Sequence, residues 1–328
     1  MNAMQRRSVL WTLFGVLLLV GMGGLLYAHF KSIPARIALP VAAALAVEGC
    51  LYIAVMLEAV RAWLETRFRP PTLALAMTVS ALVPYLIYTT ATGVLNLVSL
   101  AVLAACAAVL SFWFVVFPRR RAAEFVFVVL VAAVLISPLF GKIFGQPWPR
   151  LQLAILGQLM WTRLAILAAL SLARMEVKGF GLVPTRREWA VGAVHFALFL
   201  PAGLLLGYLV HFGAFRIRPI PWWQTAALAP AIFAGMFWVV ALREEFFFRG
   251  LLQEWLERAL RSGARGLVVT SILFGLLHLP FGRFPNWRFA LLATLAGIFY
   301  GRAYLTLRSV RAAMVTHALV NTAWRLFF

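Results

Sequence analysis

The chain has 328 residues, 64% hydrophobic and only 12% charged, with a mean hydropathy of +0.93. An ordinary soluble domain is about 25% charged, so the composition excludes a pair of soluble domains and predicts an all-α, polytopic transmembrane helix bundle. The net charge of +20 comes from Arg residues in short loops between apolar runs, where they set topology. No basic face on a soluble domain is implied, and no nucleic-acid partner is expected.

A bilayer core about 30 Å thick needs about 20 apolar residues per helix, and the chain offers about eleven such runs, in a range of eight to eleven. In chain order they are 9–27, 37–60, 71–90, 93–117, 124–141, 151–172, 189–211, 223–241, 266–280, 287–305 and 312–328. The first run follows Arg6 and Arg7 as a secretory leader would. It is longer than a leader's apolar region and no A-x-A site follows, so it is read as a retained helix.

With the N-terminus in the cytoplasm, 20 Lys and Arg residues fall in inside segments and nine in outside segments. The outside set is Lys31, Arg36, Lys142, Arg150, Arg216, Arg218, Arg283, Arg288 and Arg325, and Arg163 lies within a span. This excess predicts an integral protein of the cell's inner (plasma) membrane with a cytoplasmic N-terminus. The longest polar connection, 174–188, carries Gly179, Gly181 and Pro184 as turn signals. It divides an N-terminal helical extension, 1–188, from a functional core, 189–328.

All ten acidic residues are Glu, which excludes an aspartyl dyad. Cys50 and Cys106 lie inside apolar runs, so they are packing residues and neither a disulfide framework nor a Cys-based zinc site is expected.

An ionisable residue in a span costs about 2.5–3.5 kcal/mol on insertion scales, so each one needs a function or a partner. Glu48 and Arg163 both sit about 17 Å below the outer face at 1.5 Å per residue, which predicts a structural ion pair. Glu58 and Glu65 lie beside Arg61 and Arg69 as surface pairs. His195 is expected as a hydrogen-bonded core histidine, and His29 and His211 as interfacial residues.

Three clusters occupy successive helices of the last hundred residues: REEFFFRG from Arg243 to Gly250, FGLLH from Phe274 to His278, and HALVN from His317 to Asn321. Glu245 and Arg249 are four apart, on one helix face in the favourable order. Their pairing neutralises one of two adjacent carboxylates. Glu244, about 100° round the helix, is left to face another cavity as a candidate general base. Folding the helical hairpin brings His278 within about one turn of Glu244's depth. His317 falls somewhat shallower, so the third cluster needs a tilt or offset to join. Glu254 with Arg258, and Glu257 with Arg261, are read as solvated pairs on an amphipathic extension.

Glu244-Glu245-x-x-x-Arg249, Phe274-x-x-x-His278 and His317-x-x-x-Asn321, in this order on membrane helices, resemble the CAAX protease and bacteriocin-processing family of intramembrane endopeptidases. The resemblance covers about the last hundred residues. It implies glutamate-dependent peptide-bond hydrolysis in the membrane without a cofactor. Glu244 would be the general base, His278 would hold the attacking water, and Glu245 with Arg249 would order the site. His317 and Asn321 would donate to the oxyanion.

An alternative is a zinc peptidase using Glu244, His278 and His317 with one open position, although the chain has no HExxH helix. The implied partners are membrane lipid and a membrane-associated or lipidated protein or peptide substrate. The oligomeric state is not legible. A proton-coupled transporter or a non-catalytic scaffold is the rival class.

Overall fold

The computed structural model describes residues 1–213, 221–282 and 284–328. Arg216, Arg218 and Arg283, three of the cations expected in outside segments, lie outside the described residues. Among those described, every regular element is helical, as the composition predicts. The helices are α1 (Ala3–Phe30), α2 (Ala35–Ala54), α3 (Glu58–Arg67), α4 (Pro70–Thr92), α5 (Leu97–Val116), α6 (Arg121–Ile136) and α7 (Leu139–Ile143). They continue with α8 (Ala154–Leu172), α9 (Arg186–Leu209), α10 (Trp222–Leu260), α11 (Gly263–Leu276), α12 (Trp287–Leu307) and α13 (Val310–Phe327).

Eight helices, α1, α2, α4, α5, α8, α9, α10 and α12, have the length and apolar composition to cross a membrane. This is the lower end of the expected range, and the reasons are local. The expected run 124–141 breaks at Ser137, because the residue before Pro138 is sterically driven out of the α region. The run 266–280 becomes the 14-residue α11, about 21 Å long and short of the bilayer core. The last run forms the 18-residue α13, which carries Arg311, His317, Asn321 and Arg325.

The chain divides into two compact units, Met1–Glu176 and Val177–Phe328, and the division falls inside the polar 174–188 connection. In the first unit, Asn2 and Gln5 close a capping box at the start of α1, satisfying donors that a helix N-terminus leaves free. Gly93, at φ +73°, ends α4 in the left-handed conformation, which glycine adopts without a Cβ penalty. The core of this unit is polar at one point. Arg163 Nε meets Glu48 at 2.7 Å, its two terminal nitrogens reach Ser80, and both acid and base are buried. The ion pair expected from equal depth is present.

In the second unit, α9 starts with a Thr185–Glu188 capping box and packs on α12 and α13. Glu188 also receives Arg311 at 3.0 Å and Ser309. The first amides of α13, from Val310 and Arg311, donate to the carbonyls of Lys178 and Gly179. These bonds tie the start of α13 to the loop before α9 and fix how far along the unit His317 sits. Gly275 and Gly297 bring α11 and α12 into close contact: a Cβ at Gly275 would overlap Thr294, and one at Gly297 would press on Ser271. Small residues at helix interfaces allow such approach.

Candidate active site

The 39-residue α10 is not a uniform α-helix. Met236–Ala241 and Phe246–Gln253 have π-helical hydrogen bonding, and the α-helical turn Leu242–Glu245 lies between them. Each π stretch widens the helix locally, a deviation concentrated at functional sites. The two adjacent glutamates thus sit between two places where the ladder is relaxed.

Glu245 is fully buried and accepts from Arg249 Nε at 3.0 Å. Its other oxygen accepts from His317 Nδ1 at 2.7 Å. An ionised carboxylate only accepts, so this bond places a proton on Nδ1 and turns Nε2 outward. Nε2 lies 3.8 Å from Glu244 Oε2. The histidine that the sequence placed too shallow is therefore in the site, brought there by the anchoring of α13's first turn. The plane of His317 is fixed by Tyr300 of α12, whose ring stacks on it at 4.4 Å and 13°.

Glu244 differs from its neighbour. Its side chain is 22% exposed, and its polar contacts are Arg243 at 3.4 Å and the long approach to His317. His278, in the turn after α11, donates from Nδ1 to the Phe274 carbonyl at 2.7 Å. A carbonyl cannot donate, so the neutral His278 carries an unprotonated Nε2. Glu244 and His317 are its electrostatic neighbours. The ring sits among aromatics, with Phe274 and Phe289 each at 4.7 Å and Phe281 at 5.5 Å. Phe274 also lies edge-on to His317, so this one ring walls both histidines.

Four of the six residues singled out in the sequence meet directly, Glu244, Glu245, Arg249 and His317, and His278 stands beside them across the Phe274 ring. Asn321 is one turn beyond His317 on α13, half-buried and without a hydrogen bond among the described residues. The donor set named for zinc does not close into a metal cluster: among the described residues, no three His, Cys, Asp or Glu side chains converge to hold an ion.

Two contributors were missed in the sequence. Tyr300 gave no signal beyond being an aromatic on an apolar helix. Gln253, fully buried, accepts from Arg249 Nη1 at 3.0 Å and donates to Glu257 at 2.9 Å. It continues the four-residue spacing of Glu245 and Arg249, and that was its signal. Glu257 and Glu254, expected to pair with the arginines four residues on, take a distant partner. Both receive Arg308, at 2.5 and 3.2 Å, and Glu254 also accepts from Tyr304.

With this geometry established, residues 225–323 match the family described as type II CAAX prenyl endopeptidase Rce1-like. This segment is Rce1-like. It contains every residue of the three clusters. Comparison with curated proteins and with solved structures returned no match. Together with the eight apolar helices, the match to a family of membrane proteases supports an integral membrane protein in contact with lipid.

Proposed function

We propose that the chain is an intramembrane endopeptidase that hydrolyses a peptide bond in a membrane-associated or lipidated protein or peptide. The reaction is C-terminal processing or removal of a leader or sorting signal, with water activated by Glu244 and His278. The observation that carries the reading is the contrast between adjacent glutamates: Glu245 spends both oxygens on Arg249 and His317, while Glu244 keeps one oxygen near an imidazole and partly open.

The chemistry follows from the proton positions. Glu244 and Nε2 of His278 are both acceptors, so one water can donate a proton to each and present its oxygen lone pair outward. As that oxygen bonds to the scissile carbonyl carbon, Glu244 takes the proton. The carbonyl oxygen becomes an oxyanion, and the amide nitrogen leaves with the proton Glu244 returns. General acid–base catalysis of this kind contributes about 10²–10⁴-fold. His317 donates to the oxyanion only as an imidazolium, since Nδ1–H is already committed to Glu245. Asn321, with its amide uncommitted, is the second donor. Glu245 and Arg249 order the site, and no metal is required.

The test is cleavage of a peptide ending in an S-prenylated C-a-a-X sequence by the purified chain in detergent. Cleavage that disappears in Glu244→Gln and is unchanged by a chelator is the expected result. Cleavage lost to a chelator and restored by zinc would replace this route with the zinc one through Glu244, His278 and His317.

A further inference from the structure

An unbroken polar series runs along the second unit from the buried site to the exposed end of α12. His317 Nδ1 meets Glu245 at 2.7 Å, Glu245 meets Arg249 at 3.0 Å, and Arg249 meets Gln253 at 3.0 Å. Gln253 then donates to Glu257 at 2.9 Å, and Glu257 receives Arg308 at 2.5 Å. Arg249 and Gln253 are fully buried, whereas the Arg308 side chain is 43% exposed.

Arg249 is held less firmly than a buried guanidinium usually is. Its Nη2 is buried without a hydrogen-bond partner, so two bonds fix it, one to Glu245 and one to Gln253. A glutamine fits this place better than an acid or an amine. Its oxygen faces a donor and its nitrogen faces a carboxylate, and only an amide supplies both. A second feature points to the same bond. A Cβ at Gly301 of α12 would lie 3.0 Å from Arg249 Nη1 and 3.1 Å from Gln253 Oε1, and would overlap Leu267. The backbone of α12 therefore passes directly behind the Arg249–Gln253 contact, and the absence of a side chain leaves room for it.

We propose that Gln253 is a positioning residue for the proposed hydrolysis: by fixing Arg249 it fixes Glu245, and through Glu245 the proton and orientation of His317, with Glu257 and Arg308 as its surface anchor. Gln253 does not touch the reacting atoms. Its effect reaches them through three hydrogen bonds. The inference rests on the protease reading for its consequence in rate, but not for its consequence at His317.

The series also dictates a rescue. Gln253→Glu keeps the size and the acceptor toward Arg249 but sets a carboxylate against Glu257. Adding Glu257→Gln returns a donor to that contact, with the amide and the acid exchanged.

The decisive experiment is histidine-selective NMR of the full chain in detergent, reading the hydrogen-bonded Nδ1–H proton of His317. His278 and His195 donate from Nδ1 to the backbone carbonyls of Phe274 and Val191 and serve as internal controls. In the wild type all three protons are expected to be protected from solvent exchange. In Gln253→Met and Gln253→Glu the His317 proton alone is expected to be lost to exchange, and the exchanged pair Gln253→Glu with Glu257→Gln to recover it. Production of new peptide termini in membranes should fall about 10- to 100-fold in the single variants, the scale of a misplaced catalytic group, with the loss in kcat and little in KM.

Protection of His317 that is unchanged in Gln253→Glu would overturn the proposal, and this variant decides if Gln253→Met fails to fold. The NMR result holds whether or not the chain cleaves anything. Failure of the protease reading would show separately, as identical termini in the wild type and Glu244→Gln.

Discussion

Each of the two units buries a Glu–Arg pair, and the pairs are finished differently. In the first, every nitrogen of the Arg163 guanidinium has a partner, from both oxygens of Glu48 and the hydroxyl and carbonyl of Ser80. In the second, Arg249 leaves Nη2 unpartnered, Glu245 turns its other oxygen to a histidine, and a second carboxylate stands beside it partly open. A closed pair can only hold helices together. An open one retains groups whose proton positions can change, and that separates a structural ion pair in a membrane protein from a chemical site.

The contrast can be broken most forcefully at Glu244. Glu244→Gln keeps size and packing and is expected to lower proteolysis about 10²–10⁴-fold, the range of a lost general base, with an unaltered unfolding transition. A measured rate within tenfold of the wild type would move the chemistry away from this residue.

Next is the closed pair. Arg163→Met alone strands a buried carboxylate and is expected to destabilise the chain by about 3–5 kcal/mol, read as a loss of thermal stability in detergent. Adding Glu48→Leu should recover most of it, since an apolar pair of similar volume replaces a buried ion pair with little cost. Proteolysis by the double variant should match the wild type. Failure of the second change to rescue would mean that the pair has a role beyond packing.

Gly301→Ala sharpens the comparison from the other side. Overpacking at the Arg249–Gln253 contact is expected to cost about 1–3 kcal/mol and to lower the rate, whereas Gly93→Ala, at a positive-φ cap in the first unit, should reduce stability and leave the rate alone. The smallest effect is expected from Tyr300→Phe. Its hydroxyl makes no hydrogen bond among the described residues and the ring stack on His317 is retained, so stability should change by less than about 1 kcal/mol.

The polar features of this chain were more legible than its membrane crossings. Five of the six candidate site residues announced themselves because an ionisable group in an apolar helix is expensive, and because spacing by four places side chains on one face. Equal depth likewise announced Glu48 and Arg163. What stayed hidden depends on tertiary geometry. The depth of His317 is set by bonds from the start of α13 to Lys178, Gly179 and Glu188, far away in sequence. The π turns around Glu244 and Glu245 relax a ladder whose one-dimensional pattern reads as an ordinary helix. Arg308 was passed over as a partner of Glu254 and Glu257 because Arg258 and Arg261 offer local pairing four residues on. Gln253 carried a signal in its spacing, but an uncharged amide in an apolar helix attracts less notice than an acid. The break at Ser137 was announced by Pro138, and the shortness of α11 by a run, 266–280, that falls short of the roughly 20 residues a span needs.

The most direct test of the central claim compares peptide termini in membranes from cells carrying the wild-type chain or Glu244→Gln at equal abundance. The account predicts a set of new termini, from membrane-associated proteins, present only with the wild type and absent as well from His278→Ala. Identical termini in all three would contradict it and leave the cluster to a transporter or scaffold.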